Sequence, residues 1–223
     1  MNPLTVLQDS LYFFRRNLTS ILMLCLPLVV LEALSKQALS NALASNASQV
    51  YELLIGLLFY PLYTGALILF LDARSRSEQP RKRDLMAMAL RLWPTFAVMS
   101  ALSTLLIMFG LSMFVVPGIW VMVKLAFSEY LLVLRGMTPL AAMRESIKMT
   151  QGHFLRILAC VLCVYIPLSA LEGVSLFILP EPLSAPVSLL IDSISSFLQL
   201  FTSVVIFRLF MLINEPPEKS LIL

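Results

Sequence analysis

The chain is predicted to be an all-α polytopic membrane protein, with six transmembrane helices, three interfacial amphipathic elbow helices and a pseudo-threefold repeat of elbow plus helical hairpin. Three observations carry that prediction. Apolar residues make up 59% of the 223 residues and charged residues only 13%, about half the charged share of an ordinary soluble domain, so most of the surface must face lipid. Uncharged apolar segments recur at lengths suited to the ~20 helical residues that cross a bilayer core. Lysines and arginines also gather in alternate connections, the distribution that orients helices across a membrane.

The first span is placed at 18–40, behind Arg15 and Arg16. Those arginines, the apolar run and Ala42-Leu43-Ala44 loosely imitate a cleavable signal peptide. The run lies too far from Ala44, however, and Glu32 and Lys36 interrupt the stretch between, so an uncleaved span is expected. The second span is placed at 52–72. Residues 92–123 are uncharged for too long to form one span. Pro117-Gly118 is expected to end one helix and start the next, because proline is accepted at a helix start and glycine relieves a turn. That gives spans at 94–116 and 119–135, the latter short enough to leave a tilted or incompletely crossing hairpin open. The fifth and sixth spans are placed at 154–179 and 187–213. A single integral membrane domain covers 1–223, with repeat units at about 1–72, 80–135 and 138–213 and a tail at 214–223.

The strongest basic run is Arg74, Arg76, Arg81, Lys82 and Arg83, between spans two and three. Arg135, Arg144, Lys148 and Arg156 flank the link between spans four and five, and Arg208 and Lys219 lie at the end of span six. The opposite connections hold only Lys36, nothing at Pro117-Gly118, and Glu181. Every connection agrees with both termini in the cytoplasm.

Two short segments occur twice. LPLVVLEALS at 26–35 matches IPLSALEGVS at 166–175, each with a proline and, five residues later, a glutamate. PLTVLQDS at 3–10 matches PLAAMRES at 139–146 through Pro3, Leu4 and Ser10 against Pro139, Leu140 and Ser146, with Asp9 aligned to Glu145. Each of the latter is expected to open an elbow helix of about twelve residues leading into a span. Thr138 supplies an N-cap before a proline at the first helical position. Leu140, Met143 and Ile147 form an apolar stripe opposite Arg144, Glu145 and Lys148, as in a helix lying in the headgroup plane. A third elbow, 83–93, is placed by position more than by identity. Between elbow and proline the third unit has four more residues than the first, about one helical turn, which predicts that its Pro/Glu motif sits a turn deeper.

An ionisable group inside a membrane costs roughly 2.5–3.5 kcal/mol on insertion scales, so each one asks for a reason. Glu32 lies four residues before Lys36 and can pair with it on one helix face. Either Glu32 and Glu172 reach the outer headgroups, or both border a polar cavity that binds a cation or an amphiphile headgroup, widened by kinks at Pro27 and Pro167. Lys124 and Glu129 lie too far apart around one helix for an ideal pair. Lys124 therefore looks to another helix, with Glu172 and Asp192 as candidates, and both residues join the candidate cavity. Asp192 and Arg208 are expected to anchor opposite ends of span six. Arg74, Arg76, Arg81, Lys82 and Arg83 can contact anionic lipid headgroups at ~1 kcal/mol per cation, or simply fix topology. Trp93, Trp120 and tyrosines 12, 51, 60, 63 and 130 are expected to form an aromatic belt near the span ends.

Cys25, Cys160 and Cys163 lie in apolar spans, so neither a disulfide framework nor thiol chemistry is expected. His153 is the only histidine and has no ligand cluster beside it. No phosphate loop, nucleophile elbow or zinc-protease motif occurs, and the soluble connections are too short to house a catalytic domain. The chain is expected to be no enzyme, to use no cofactor and to bind no nucleic acid.

The stretch VVPGIWVMVKLAFSEYLLVLRGMTPLAAMRESIKMTQGHFLRIL at 115–158 is similar to the central segment of the YciC family of bacterial inner-membrane proteins, and IFRLFMLI at 206–213 looks like that family's last span. More distantly, Pro117, Gly118 and Ile119 followed by Ala142, Ser146, Thr150 and Gly152 resemble the membrane domain of some glycerophosphodiester phosphodiesterases. The resemblance implies a multi-pass protein of the bacterial inner membrane with no catalytic residues to carry over. The chain departs from it at Lys124 and Glu129. The expected function is to bind a lipid or other amphiphile between the spans, in envelope maintenance. The alternatives are a secondary transporter of small solutes, or an assembly subunit docking a membrane or cytoplasmic protein partner on its elbows.

Overall fold

The computed structural model describes residues 3–42, 48–178 and 185–214, with side chains for 5–39, 50–167, 170, 195, 197 and 199–214. They form eight helices and, among the described residues, no strand: α1 (Pro3–Ala42), α2 (Ser48–Ser75), α3 (Lys82–Met113), α4 (Val115–Leu125), α5 (Ser128–Arg135), α6 (Pro139–Met149), α7 (Phe154–Ile178) and α8 (Ala185–Asn214). Thr5–Leu39, Val50–Ser75, Lys82–Met113 and Val115–Arg135 are long and apolar enough to cross a membrane, and a bent pair formed by α6 and α7 raises the number from four to five. Gln199–Asn214 is a shorter apolar stretch. The architecture is that of a helical membrane protein.

Of the three expected elbows, only α6 is a separate helix. It meets α7 at 104°, whereas the elbow at 3–10 belongs to the unbroken 40-residue α1 and 83–93 lies within the 32-residue α3. The reason is local. Thr150, Gln151, Gly152 and His153 form a turn between α6 and α7, with Gly152 at φ +80°, a region that side chains with a Cβ avoid. These are the four extra residues of the third unit. They bend the chain instead of adding a helical turn. At about 60 Å, α1 is twice the ~30 Å hydrocarbon core. Thr138 stands at the N-cap of α6 with Pro139 at its start, but its hydroxyl makes no cap bond.

The break between α3 and α4 falls at Phe114, which is extended at φ −162° and ψ 158°, three residues before the expected Pro117-Gly118. Pro117 instead occupies the first turn of α4, where a missing N–H costs nothing. Gly118 is needed for contact. A Cβ on Gly110 would stand 2.9 Å from the Gly118 Cα, and one on Gly118 would clash with the Leu111 side chain. The two helices touch backbone to backbone.

A second break, at Ala126 and Phe127, separates α4 from α5. Exposed to lipid, the freed backbone groups would be costly; buried in protein they can be paired. Ser146 of α6 supplies the pairing. Its hydroxyl donates to the Lys124 carbonyl at 2.7 Å and accepts the Phe127 N–H at 3.1 Å. Ser128 Oγ donates to the Leu125 carbonyl at 2.6 Å. Ala142, Met143 and Ser146 are accordingly buried, so one face of α6 packs on the protein. Leu140, from the expected apolar stripe, is exposed.

The centre is held by α2, which packs against α1, α3, α5 and α8. At Gly65, an added Cβ would touch the Phe96 ring at 3.4 Å. Tyr130 is buried between Phe207 and Phe210 of α8 and donates from Oη to the Ser203 carbonyl at 2.7 Å.

Candidate functional site

A cavity of about 740 Å³ opens between α1, α2, α3, α5 and α8, within the size range of small-molecule sites. It follows α2 from Glu52 to Tyr63, about 16 Å along the helix. Its wall carries three carboxylates, Glu32, Glu52 and Glu129, against the single ammonium of Lys36. Ser100, Ser103 and Thr104 of α3 add hydroxyls, and Leu53, Leu57 and Ile107 add apolar surface.

Glu32 is only 6% exposed. Lys36 Nζ lies 2.6 Å from its Oε1, the pair that the four-residue spacing makes possible. Oε2 is buried without a hydrogen-bond partner among the described residues. Tyr63 stands beside this carboxylate, and Gly56 of α2 faces it, an added Cβ there falling in ordinary contact with Glu32 Oε1 at 3.7 Å. Glu129, in the first turn of α5, receives the Tyr60 hydroxyl at 2.9 Å on Oε1 and 3.1 Å on Oε2. Tyr60 lies in the middle of α2, so the break before α5 delivers a carboxylate to the middle of a neighbouring span. A smaller cavity of about 250 Å³, toward α7 and α8, shares Tyr60, Tyr63 and Glu129 with the larger one. Glu129 thus stands where the two meet.

The predicted residues separate. Glu32 and Glu129 come to one cavity. Lys124 is not on its wall; its Nζ sits 5.7 Å from the centre of the Trp120 ring, as in a cation–π contact. Glu172 belongs to α7 by its backbone, but its side chain and that of Asp192 lie outside the described residues. α1 and α7 run on through Pro27 and Pro167, and both prolines are exposed. Glu32 is five residues past Pro27, about 140° further around the helix, which turns the glutamate inward and the proline outward. Neither proline lines either cavity.

In the basic run, Arg74 Nε donates to Asn17 Oδ1 at 3.1 Å and Arg76 pairs with Asp72 at 3.0 Å. Lys82 Nζ approaches Met23 Sδ at 2.9 Å, and Arg81, Lys82 and Arg83 are exposed. Three tyrosines expected in an interfacial belt, Tyr60, Tyr63 and Tyr130, face the interior instead. Their signal was position: 60 and 63 lie in mid-span, where a hydroxyl needs a partner. Glu52 and the hydroxyls of α3 were not singled out by the sequence at all. Arg208 meets Asp9 of α1 at 3.4 Å. The cysteines are free thiols, and no cluster of three or more metal-ligating side chains occurs among the described residues.

Fold and site together define a helical membrane protein with a polar, net acidic cavity between its helices. Curated relatives agree with the class. The chain is 26% identical over 154 residues to a UPF0259 membrane protein of Yersinia pestis (strain Pestoides F), and equally so to one of Yersinia pseudotuberculosis serotype O:3 (strain YPIII). The match takes in 69% of this chain and 59% of the relatives' length. No protein-family profile matches the chain. No solved structure matches it either.

Proposed function

We propose that the chain is a non-enzymatic, multi-pass protein of a bacterial inner membrane that holds an amphiphile with a positively charged head in its larger cavity, in envelope maintenance. One observation carries the reading: Glu32 and Glu129, from distant parts of the chain, share the wall of a single 740 Å³ cavity. Carboxylates persist inside a membrane protein where a cavity and partners repay their cost. With three carboxylates to one ammonium, a cationic head is attracted and an anionic one repelled. Leu53, Leu57 and Ile107 offer surface to a tail.

In this reading six spans cross the membrane: α1, α2, α3, α4 continued by α5, α7 and α8. Both termini are cytoplasmic, supported by the basic residues at the matching helix ends. Relationship to the YciC family belongs to the same proposal and rests on 115–158 and 206–213. Membrane lipids are the partners; nucleic acid is not.

Native mass spectrometry of protein extracted gently with its surrounding membrane tests the proposal. An adduct of amphiphile mass is expected on the wild type and lost from Glu32→Gln/Glu129→Gln. A bare wild-type protein, or an adduct unchanged in the double variant, ends the reading. A second reading, a secondary transporter of small solutes, is favoured by the broken span that carries Glu129, since transporters build mid-membrane sites from discontinuous helices. Solute flux in proteoliposomes that disappears in Glu129→Gln would replace the first reading with this one. A stoichiometric protein crosslinked to Arg144 or Lys148 of α6 would point to an assembly subunit instead.

A further inference from the structure

The basic ends of the helices enclose a separate cavity of about 420 Å³, between the start of α1, the end of α2 and the end of α8. Its polar wall is Asp9, Ser10, Tyr12, Arg74, Ser75 and Arg208, with Ser75 Oγ already donating to the Asp72 carbonyl; Phe13, Phe207 and Met211 are among its apolar residues. Two polar atoms here have no hydrogen-bond partner among the described residues. Ser10 is 1% exposed, and its Oγ has no partner. Arg208 Nε is also buried and unpaired, although Nη2 reaches Asp9 Oδ2 at 3.4 Å. Arg74 spends only its Nε on Asn17, and a guanidinium has five N–H donors.

The wall therefore holds more donors than acceptors and more positive than negative charge, two guanidiniums to one carboxylate. That carboxylate, Asp9, has a side chain 48% exposed and a long contact to Arg208, the kind of surface pair that binds weakly. What such a wall lacks is a compact group with several acceptor oxygens and negative charge. A phosphate group satisfies guanidinium and hydroxyl donors at once. The adjoining apolar surface and the position at the basic end of the bundle suit a phosphate that carries acyl chains. We propose that this cavity is a phosphate site, filled by the headgroup of an anionic phospholipid or by a free phosphate. It is distinct from the acidic cavity, which repels such a group.

The test uses the full chain in nanodiscs of equal phosphatidylglycerol and phosphatidylcholine, released and weighed by native mass spectrometry. The wild type is expected to retain phosphatidylglycerol in preference. Arg74→Gln/Arg208→Gln should weaken that retention roughly tenfold or more, as expected for lost charge-assisted hydrogen bonds, and Ser10→Ala should weaken it less. Lys148→Gln removes an exposed charge elsewhere and should behave as the wild type. Ser10→Ala deletes a single oxygen and keeps the test decisive if the double arginine variant does not fold. Adding millimolar inorganic phosphate separates the two sources. Lipid that stays bound identifies a headgroup; lipid displaced, with phosphate bound to the detergent-solubilised wild type but not to the arginine variant, identifies free phosphate. Equal retention of both lipids, or retention unchanged in Ser10→Ala and in the arginine variant, with no phosphate bound, overturns the proposal.

Discussion

PLTVLQDS in α1 and PLAAMRES in α6 share a proline, a leucine and a serine in register, and the two serines meet opposite circumstances. Ser146 faces the break between α4 and α5 and bonds both a carbonyl and an N–H there. Ser10 faces no break, has no partner for its hydroxyl among the described residues and lines a cavity with two arginines. The acidic residue just before each serine follows the same division. Glu145 pairs within its own helix, with Lys148 at 3.4 Å, while Asp9 reaches across to Arg208 of α8. A repeated segment thus keeps its helical frame, and its polar side chains take their roles from whatever lies opposite. Beside broken backbone the serine is a latch. Beside arginines it is a spare donor.

The comparison can be broken most severely at Ser146. Ser146→Val strands a buried carbonyl and a buried N–H, each costing ~1–3 kcal/mol, so unfolding in a mixed-micelle denaturant titration is expected to lose about 2–4 kcal/mol. A loss below half a kilocalorie would show that the latch is unimportant. Gly152→Ala comes next. A Cβ at φ +80° costs about 1–2 kcal/mol, and the same titration should register it, whereas no glycine holds a bend in the corresponding stretch of α1. Asp9→Asn and Glu145→Gln remove exposed pairs and should each change stability by less than about 1 kcal/mol. Asp9→Asn should in addition raise phosphatidylglycerol retention, and Glu145→Gln should not. Smallest of all is Ser10→Ala, within about 0.5 kcal/mol in lipid-free detergent, because no hydrogen bond is lost.

What was legible in the sequence is what neighbours in sequence decide. Apolar length locates α2 and α3 as long helices, Pro139 marks the start of α6, and the spacing of Glu32 and Lys36 brings them to one face. Glycine and proline proved ambiguous. The Pro117-Gly118 dipeptide carries the composition of a turn, yet Gly118 serves contact with Gly110, and the chain breaks at Phe114, which no turn rule marks. The break at Ala126 and Phe127 has neither glycine nor proline, because Ser146 makes it affordable from twenty residues away. Tyr60 with Glu129, and Asp9 with Arg208, are contacts between helices far apart in the chain. Hydropathy places such residues in a span but does not say which helix stands opposite. Glu32 and Glu129 were expected in one cavity, but the α2 and α3 side chains that complete its wall were hidden for the same reason.

The latch at Ser146 also has a meaning in time. When residues 115–135 first leave the ribosome, the chain holds a span with a gap in its backbone ladder and three charged side chains, Lys124, Glu129 and Arg135. By itself such a segment is a poor occupant of lipid. Tyr60, which donates to Glu129, is already synthesised by then, but the serine that closes the gap is not. The backbone of residues 115–135 is therefore fully paired only with α6 in place, so the quality of this span depends on a helix later in the chain than itself.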